Sequence, residues 1–354
     1  MAIYFTGTGA YIPTENIPNA DFAAHEFLNE DGSAFPYDNA TVAKKFQEIT
    51  GIEARRYAAP QLLTSDIATL AAEEAIADAG CDRESLDYLI VAHNFGNVRA
   101  DAIQTDILPS LATRVKHALG IKNPRCVAYD ILFGCPGWVE GVIQAQAFIK
   151  AGMAKKCLVI GAETLSRVLD PHDRDSMIYS DGAGAAIVEE KPGEGGLLAH
   201  ATLTYAAEEA YYLFFGPSFN KKLPQDVRFI KMYGRKIYEF AVSRVPEAMQ
   251  QCLDASGVPI AEVNKVLIHQ ANEKMDEAII HRFFKRYGQV PPEGVMPMSI
   301  HQLGNSSVAT VPTLYHLLRK DKIANQHIAP GNTLLFASVG AGMNINALVY
   351  KEPH

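Results

Sequence analysis

The sequence of 354 residues lacks the features that mark secreted, membrane-spanning or nucleic-acid-binding proteins. Its net charge of −8 provides no basic excess for a polyanion. No apolar run approaches the roughly 20 residues of a membrane span. The N-terminus has no basic region followed by an apolar stretch, as a secretory signal would have. We therefore expect a cytoplasmic protein that binds neither nucleic acid nor a membrane.

Cysteine is scarce, and its spacing argues against two common uses of the residue. The cysteines form no CxxC pair, so no metal site is expected. Their odd number and irregular spacing argue against a disulfide framework, so we expect reduced thiols. The five residues are Cys81, Cys126, Cys135, Cys157 and Cys252.

Strand patterns and helix patterns alternate along the chain, which indicates an α/β fold. The segment "TSDIATLAAEEAIADAG" predicts a helix that ends at Gly80, and residues 136–151 predict another that ends at Gly152. The Pro-, Gly- and charge-rich stretch "VEEKPGEGGLLAH" predicts a linker. The predicted strands are "IYFTGTGAYI", "YLIVAH", "CVAYDI", "CLVIGAE" and "GAAIVEE".

The second half of the chain repeats the first. Residues 78–94 and 254–272 share a helix end, a short connector, a buried strand, and His and Asn at the strand tip. "DGAGAAIVEE" is likewise paralleled by "GAGMNINALVYKE" near the C-terminus. We therefore predict two similar halves, residues 1–190 and 191–354, whose equivalent strand ends surround one central site.

Cys135 lies in "LFGCPGWVEGV", just before a predicted helix. The free N–H groups and the dipole at a helix start favour a thiolate, which is the nucleophilic form. Gly134 and Gly137 allow a substrate to approach the backbone closely, and the N–H of Cys135 can donate to an acyl oxygen. A buried structural cysteine is the alternative, and the surroundings make the two about equally probable.

Two further segments contain polar residues at predicted element ends. His269 ends the strand in "VLIHQAN", and Asn305 follows Gly304 in "HQLGNSSVATVP", just before a predicted Ser-capped helix. Alone, a core histidine and a turn asparagine would be the better interpretations. Together with Cys135 they match one chemistry, in which a cysteine carries an acyl group while imidazole and amide donors stabilise an enolate oxygen.

These motifs, taken in order, resemble β-ketoacyl-acyl-carrier-protein synthase III, a condensing enzyme of the thiolase superfamily. The resemblance covers nearly the whole chain and includes "GTGAYIPTENIPN", "TGIEARRYAA", "LVIGAETLSRVLDPHDRDSMIYSDGAGAAIVEE", "LIHQAN" and "LGNSSVATVP". It implies that Cys135 is the nucleophile and that His269 and Asn305 stabilise the enolate. The backbone N–H groups of Cys135 and Ala341 would form the oxyanion hole. The implied fold is duplicated and layered α-β-α-β-α.

The same resemblance implies a homodimer whose substrates are thioesters of coenzyme A or of an acyl carrier protein, with no further cofactor. A basic carrier-docking surface is expected at Lys274, Arg282 and Lys285 on a predicted helix, together with Arg167. The alternative for the charged helix is an ordinary solvated face.

Four positions depart from the family pattern. Lys45 and Ile49 occupy the positions of a tryptophan and an arginine that grip the adenine of coenzyme A, which predicts weak use of acetyl-CoA. Leu108 replaces a phenylalanine that narrows the primer pocket across the dimer interface, and Val339 replaces an aromatic residue beside the GxG turn. The change at Leu108 predicts a primer other than acetyl, and the change at Val339 predicts less efficient decarboxylation of a malonyl substrate.

The expected reaction is a decarboxylative Claisen condensation between an acyl-cysteine and a malonyl or β-ketoacyl thioester, in lipid or polyketide biosynthesis. The alternatives are acyl transfer to a hydroxyl or an amine, and non-decarboxylative coupling of acyl chains. A degradative thiolase is disfavoured because "VGAGMN" lacks a second cysteine. A non-catalytic partner subunit is disfavoured because both Cys135 and His269 are present.

Overall fold

The computed structural model describes residues 1–354 and contains fifteen strands and eight helices. None of the helices has the combination of length and apolar character needed to cross a lipid bilayer. The strands are β1 (Ala2–Tyr11), β2 (Glu15–Pro18), β3 (Ala54–Tyr57), β4 (Tyr88–Ala92), β5 (Asn97–Val98), β6 (Thr105–Asp106), β7 (Val127–Ile131), β8 (Lys156–Thr164), β9 (Asp181–Lys191), β10 (Gly196–Thr204), β11 (Leu213–Pro217), β12 (Arg228–Met232), β13 (Val263–Ile268), β14 (Thr333–Gly340) and β15 (Asn344–Lys351). The helices are α1 (Asn39–Thr50), α2 (Thr64–Ala79), α3 (Leu111–Ala118), α4 (Gly137–Lys150), α5 (Gly234–Ser256), α6 (Glu273–Lys285), α7 (Ile300–Leu303) and α8 (Thr310–Arg319).

Two sheets with matching topology form the framework. The first has the strand order β1-β9-β8-β4-β7, and the second has the order β10-β15-β14-β13. In the first sheet β1–β9 and β9–β8 are antiparallel and β8–β4 is parallel. The second sheet repeats this pattern in β10–β15, β15–β14 and β14–β13. The duplication predicted from the sequence is therefore confirmed, and β7 is the one strand of the first sheet without a counterpart.

The chain passes from the first sheet to the second between Lys191 and Gly196. The predicted linker is therefore only residues 192–195, because β9 and β10 extend into the sequence around it. Sheet pairing overrides the Pro/Gly composition here, since β9 pairs along its length with β1 and β8.

The helices form three layers around the two sheets. α4 and α8 contact strands of both sheets and lie between them, whereas α2 and α3 cover the first sheet and α5 and α6 cover the second. The central core combines side chains from both halves, such as Phe5, Trp138 and Phe336. This arrangement confirms the layered α-β-α-β-α fold.

The two central helices begin close together, and this brings the two halves of the site together. The turn before α8 packs closely on β8 at Gly161. A Cβ added to Gly161 would lie only 2.4 Å from the carbonyl oxygen of Val308, in that turn. Cys135 immediately precedes α4, and Asn305 precedes α8 by a short 3-10 turn, Ser307–Ala309. The predicted serine cap of α8 is wrong, because the helix begins at Thr310 and no side chain caps it.

Candidate active site

Cys135 lies in a loop that directly contacts the β14–β15 turn. A Cβ on Gly340 would approach the nitrogen of Cys135 to 2.4 Å, and a Cβ on Gly134 would approach the nitrogen of Ala341 to 2.7 Å. Asn344 Nδ2 donates to the carbonyl oxygen of Ala341 at 2.8 Å and to that of Phe133 at 3.4 Å. The glycines therefore allow the Cys135 and Ala341 backbones to lie side by side, as a two-donor oxyanion hole requires.

His269 follows β13 and is only 3% exposed. Its backbone N–H donates to the carbonyl oxygen of Ala337 at 2.8 Å, and Nδ1 lies 2.6 Å from the Thr310 hydroxyl. Burial lowers the pKa of His269 to about 3. The imidazole is therefore neutral near neutral pH.

The backbone of Asn305 is held by two residues of the loop that precedes β9. Its N–H donates to Ile178 at 3.0 Å, and its carbonyl accepts from Ser180 at 2.9 Å. Asn305 Oδ1 accepts from the backbone N–H of Ser307 at 2.8 Å. Because the amide oxygen is engaged in this way, the amide nitrogen is the group left to donate to a substrate.

Cys135, His269 and Asn305 all line one cavity of about 120 Å³. A cleft of about 550 Å³ shares Ile178, Met232 and Asn272 with this cavity and extends it toward the surface. A long, flexible substrate arm can therefore reach the sulfur from outside. The apolar lining of the cavity is Ile178, Leu213, Met232, Ile237, Ala271, Met275, Val339 and Met343.

The Cys135 thiol is protonated in the substrate-free protein. Burial raises its pKa to about 12, opposed by a hydrogen bond from the Ser307 hydroxyl, whose oxygen lies 3.2 Å from the sulfur. The start of α4 also favours the thiolate, but the cost of removing the sulfur from water is larger. The predicted thiolate in the resting state is therefore wrong.

Comparison with known proteins agrees with this geometry. The family model for 3-oxoacyl-[acyl-carrier-protein] synthase III matches residues 129–205, and the model for its C-terminal domain matches residues 253–351. The chain is 32% identical to a β-ketoacyl-[acyl-carrier-protein] synthase III from Rhodospirillum rubrum over 95% of each chain, and 33% identical to one from Vibrio vulnificus over 95% of each. The crystal structure of the synthase III from Aquifex aeolicus superposes with a TM-score of 0.81 at 28% identity, covering 99% of this chain and 100% of that one.

The chain belongs to the β-ketoacyl-[acyl-carrier-protein] synthase III family. It is therefore an acyltransferase that forms carbon–carbon bonds, as the sequence motifs predict.

The other predicted site residues of this synthase lie in different surroundings. Val339 lines the cavity beside Cys135. Leu108 does not line it, and its side chain is 87% exposed on a surface loop of the single chain. Arg167 donates to the carbonyl oxygens of Ala58 and Ala59 at 3.0 Å. The Arg167 guanidinium therefore holds a neighbouring loop in place, and its docking role stays a prediction.

The remaining docking candidates lie on α6. Lys274 is exposed in the first turn, near Asn272 and Met275 of the cavity lining. Arg282 and Lys285 line a groove of about 1020 Å³ between α5 and α6. The same groove includes the cations Lys236, Arg244 and Arg286 and the carboxylates Glu209, Glu239 and Glu247.

The outer cleft contains aromatic rings, although Lys45 stands where the family has a tryptophan that grips the adenine of coenzyme A. Phe35 and Tyr37 line it, and the Lys45 ammonium lies 4.0 Å from the centre of the Tyr37 ring. Arg174 lies 4.5 Å from the centre of the Phe35 ring. The sequence analysis considered positions 45 and 49, whereas these rings come from the loop before α1, and the weak use of acetyl-CoA stays a prediction.

Four polar residues around the site were missed by the sequence analysis. Ser307 contacts Cys135, Thr310 contacts His269, and Asn94 and Glu163 lie behind Ser307. The sequence did contain a signal for Asn94. In the internal repeat, Asn94 follows β4 as the segment that begins with His269 follows β13. Glu163, a carboxylate at the end of an otherwise apolar strand, is a second such signal.

Proposed function

We propose that this synthase catalyses a decarboxylative Claisen condensation through an acyl-enzyme on Cys135. The thiol attacks an acyl thioester, the acyl–sulfur bond forms on Sγ, and the leaving thiol of the donor takes up the proton. A malonyl or β-ketoacyl thioester that carries a free carboxylate then binds and loses CO₂, which leaves an enolate. The enolate carbon attacks the acyl carbon, the bond from that carbon to Sγ breaks, and the released Cys135 thiolate takes up a proton from solvent.

The observation that carries this proposal is the shared cavity of Cys135, His269 and Asn305. A neutral imidazole and a fixed amide are hydrogen-bond donors suited to the thioester oxygen that becomes negative as CO₂ leaves. Simple acyl transfer to a hydroxyl or an amine would need the cysteine but no enolate donor pair.

The Asn305→Asp variant tests the carbon–carbon bond-forming step. It keeps an oxygen for the Ser307 N–H and removes the amide donor, so we expect the rate of CO₂ release from malonyl-carrier protein to fall by about 10²–10³-fold. Acyl loading of Cys135, followed by intact mass, should continue. Loading without any CO₂ release in the unmodified enzyme, and with product appearing on a hydroxyl or an amine, would contradict condensation.

We further propose that the enzyme acts as a homodimer with a primer other than acetyl. β7 pairs only with β4, and its outer edge and Val127 are exposed. Leu132, directly after β7, is 64% exposed, and Leu108, in the loop before α3, is 87% exposed. An unpaired strand edge flanked by apolar side chains is a surface suited to a second copy.

A Leu108→Phe variant tests whether this residue limits the primer pocket across such an interface. We expect kcat/KM for the longest accepted acyl donors to fall by about tenfold or more relative to short ones, because a larger ring shortens the pocket. Ile103→Phe, at an exposed position in the loop between β5 and β6, serves as the control. An unchanged chain-length profile together with a monomeric mass in solution would contradict the proposal.

An acyl carrier protein is the proposed partner at the groove between α5 and α6. Carrier proteins are acidic, and five cations line the groove beside three carboxylates, with Lys274 exposed in the first turn of α6. We expect the double variant Lys274→Glu, Arg282→Glu to raise KM for carrier-bound substrates by about tenfold or more.

Acyl-CoA is a second proposed primer donor, because the cations and rings of the outer cleft suit coenzyme A. It therefore serves as the internal control for this variant. KM for acyl-CoA should stay nearly unchanged in the double variant. Lys150→Glu, at the end of the central helix α4, is a control for a change of charge elsewhere. Equal losses with both donors would show that α6 does not recognise the carrier.

A further inference from the structure

Ser307 contacts the sulfur of Cys135, and neither the sequence motifs nor the proposed mechanism assigns it a role. Its hydroxyl oxygen lies 3.2 Å from Sγ, and the side chain is 3% exposed. It belongs to the same turn as Asn305, whose amide it fixes through its backbone N–H. The hydroxyl is therefore a permanent neighbour of the reacting atom.

Two residues behind Ser307, the half-buried Asn94 and the buried Glu163, determine which way its hydroxyl points. Asn94 Nδ2 donates to Ser307 Oγ at 3.0 Å. The backbone N–H of Asn94 donates to Glu163 Oε1 at 2.6 Å, and Asn94 Nδ2 donates to the same oxygen. Because the carboxyl accepts from the amide NH₂, that NH₂ and not the amide oxygen faces Ser307. Ser307 Oγ receives an amide hydrogen there, which leaves its own hydrogen for the sulfur.

The charges around Cys135 leave this hydroxyl as an important source of stabilisation for the thiolate. The titratable groups facing the sulfur are His269, Tyr179 and Glu163. His269 is neutral, and burial raises the pKa of Tyr179 well above its usual value, so neither is charged. Burial and the nearby Asp181 raise the pKa of Glu163 to about 8, so near neutral pH this carboxyl can orient Asn94 while adding little negative charge.

We propose that Ser307 is a further catalytic residue, which donates a hydrogen bond to the Cys135 sulfur as it becomes a thiolate, and that Asn94 and Glu163 are the positioning residues that align its hydroxyl. This proposal rests on the acyl-cysteine step of the proposed function. It concerns only the reactivity of the sulfur and is independent of which acyl group or extender is used.

The Ser307→Gly variant removes the hydroxyl with little effect on the backbone. Ser307 has φ +53°, a conformation that glycine adopts more easily than serine, so the variant should melt at an unchanged or higher temperature. The rate of Cys135 alkylation by iodoacetamide, measured from pH 6 to 10 by intact mass, reports the reactivity of the sulfur without any acyl substrate. We expect the rate at neutral pH to fall by about 10- to 100-fold and the profile to move to higher pH.

Variants of Asn94 and Glu163 test whether the Ser307 hydroxyl must be aligned by these residues or need only lie near the sulfur. Asn94→Asp replaces the donor toward Ser307 by an acceptor and should reduce alkylation as Ser307→Gly does. Glu163→Gln keeps a carbonyl oxygen for the Asn94 N–H, so most of the rate should be retained. Ser306→Gly, in the neighbouring position, is the matched control and should alkylate normally.

An unchanged alkylation profile in folded Ser307→Gly would overturn the proposal. Slow alkylation in Ser307→Gly but a normal rate in Asn94→Asp would overturn the alignment by Asn94 and Glu163. If the variants alkylate slowly as expected but the unmodified enzyme never releases CO₂, the proposed condensation is contradicted and the role of Ser307 is not. The two failures are therefore distinguishable.

Discussion

Cys135→Ala is expected to produce a folded protein that is never acylated and that condenses substrates at least about 10⁴-fold more slowly than the unmodified enzyme. The reason is that the cavity offers no second nucleophile. The other acidic side chains that line it are the phenols of Tyr179 and Tyr238, which are poor nucleophiles at neutral pH, and burial raises the pKa of Tyr179 well above its usual value. Intact mass after incubation with acyl donors measures loading, and CO₂ release measures condensation.

A matched cysteine variant makes this experiment specific. Cys252 is equally buried, but it lies on α5 in the outer core and its thiol contacts the carbonyl oxygen of Ala199. Cys252→Ala should lose some stability and keep its acyl adduct. An adduct that persists in Cys135→Ala, or that disappears in Cys252→Ala, would show that the nucleophile has been misassigned.

Gly340→Ala should have the second-largest effect, although it adds only one methyl group. That methyl would lie 2.4 Å from the Cys135 nitrogen and 2.9 Å from its Cβ, so the two loops must separate. The N–H groups of Cys135 and Ala341 would then no longer converge on one oxygen. We expect kcat to fall by about 10²–10³-fold, the usual cost of losing an oxyanion donor, with a smaller change in KM.

Gly288→Ala provides the control for Gly340→Ala. Gly288 has φ +68° and open space around its Cβ position, so alanine there costs backbone strain without a clash. It should lower the melting temperature slightly and leave kcat unchanged. If Gly340→Ala retained full kcat, the Cys135 and Ala341 backbones would not act as a pair of donors.

The sequence predicted the fold well where local pattern and tertiary pairing agree. The strand and helix alternation, the repeat that relates β4 to β13, and the end of α2 at Gly80 all follow from periodicity and turn residues. Cys135, His269 and Asn305 were found because each follows a recognisable element end, and the structure brings all three to one cavity.

What the sequence could not predict depends on contacts between distant segments. The raised pKa of Cys135 reflects burial by several loops, which no local motif encodes. Arg167 has the sequence context of a surface cation, but it folds back onto the loop at Ala58. The ring of Tyr37 reaches Lys45 from another turn of chain, so position-by-position comparison misses it.

The central layer also has a consequence for how the protein folds. Phe5 and Trp138 from the first half interlock with Phe336 and Tyr350 from the second, and α4 and α8 each have one face on either sheet. Neither repeat therefore possesses a complete interior of its own. Although the two halves look like copies of one ancestral unit, they have become mutually dependent, and the chain should gain or lose its structure as a single cooperative body.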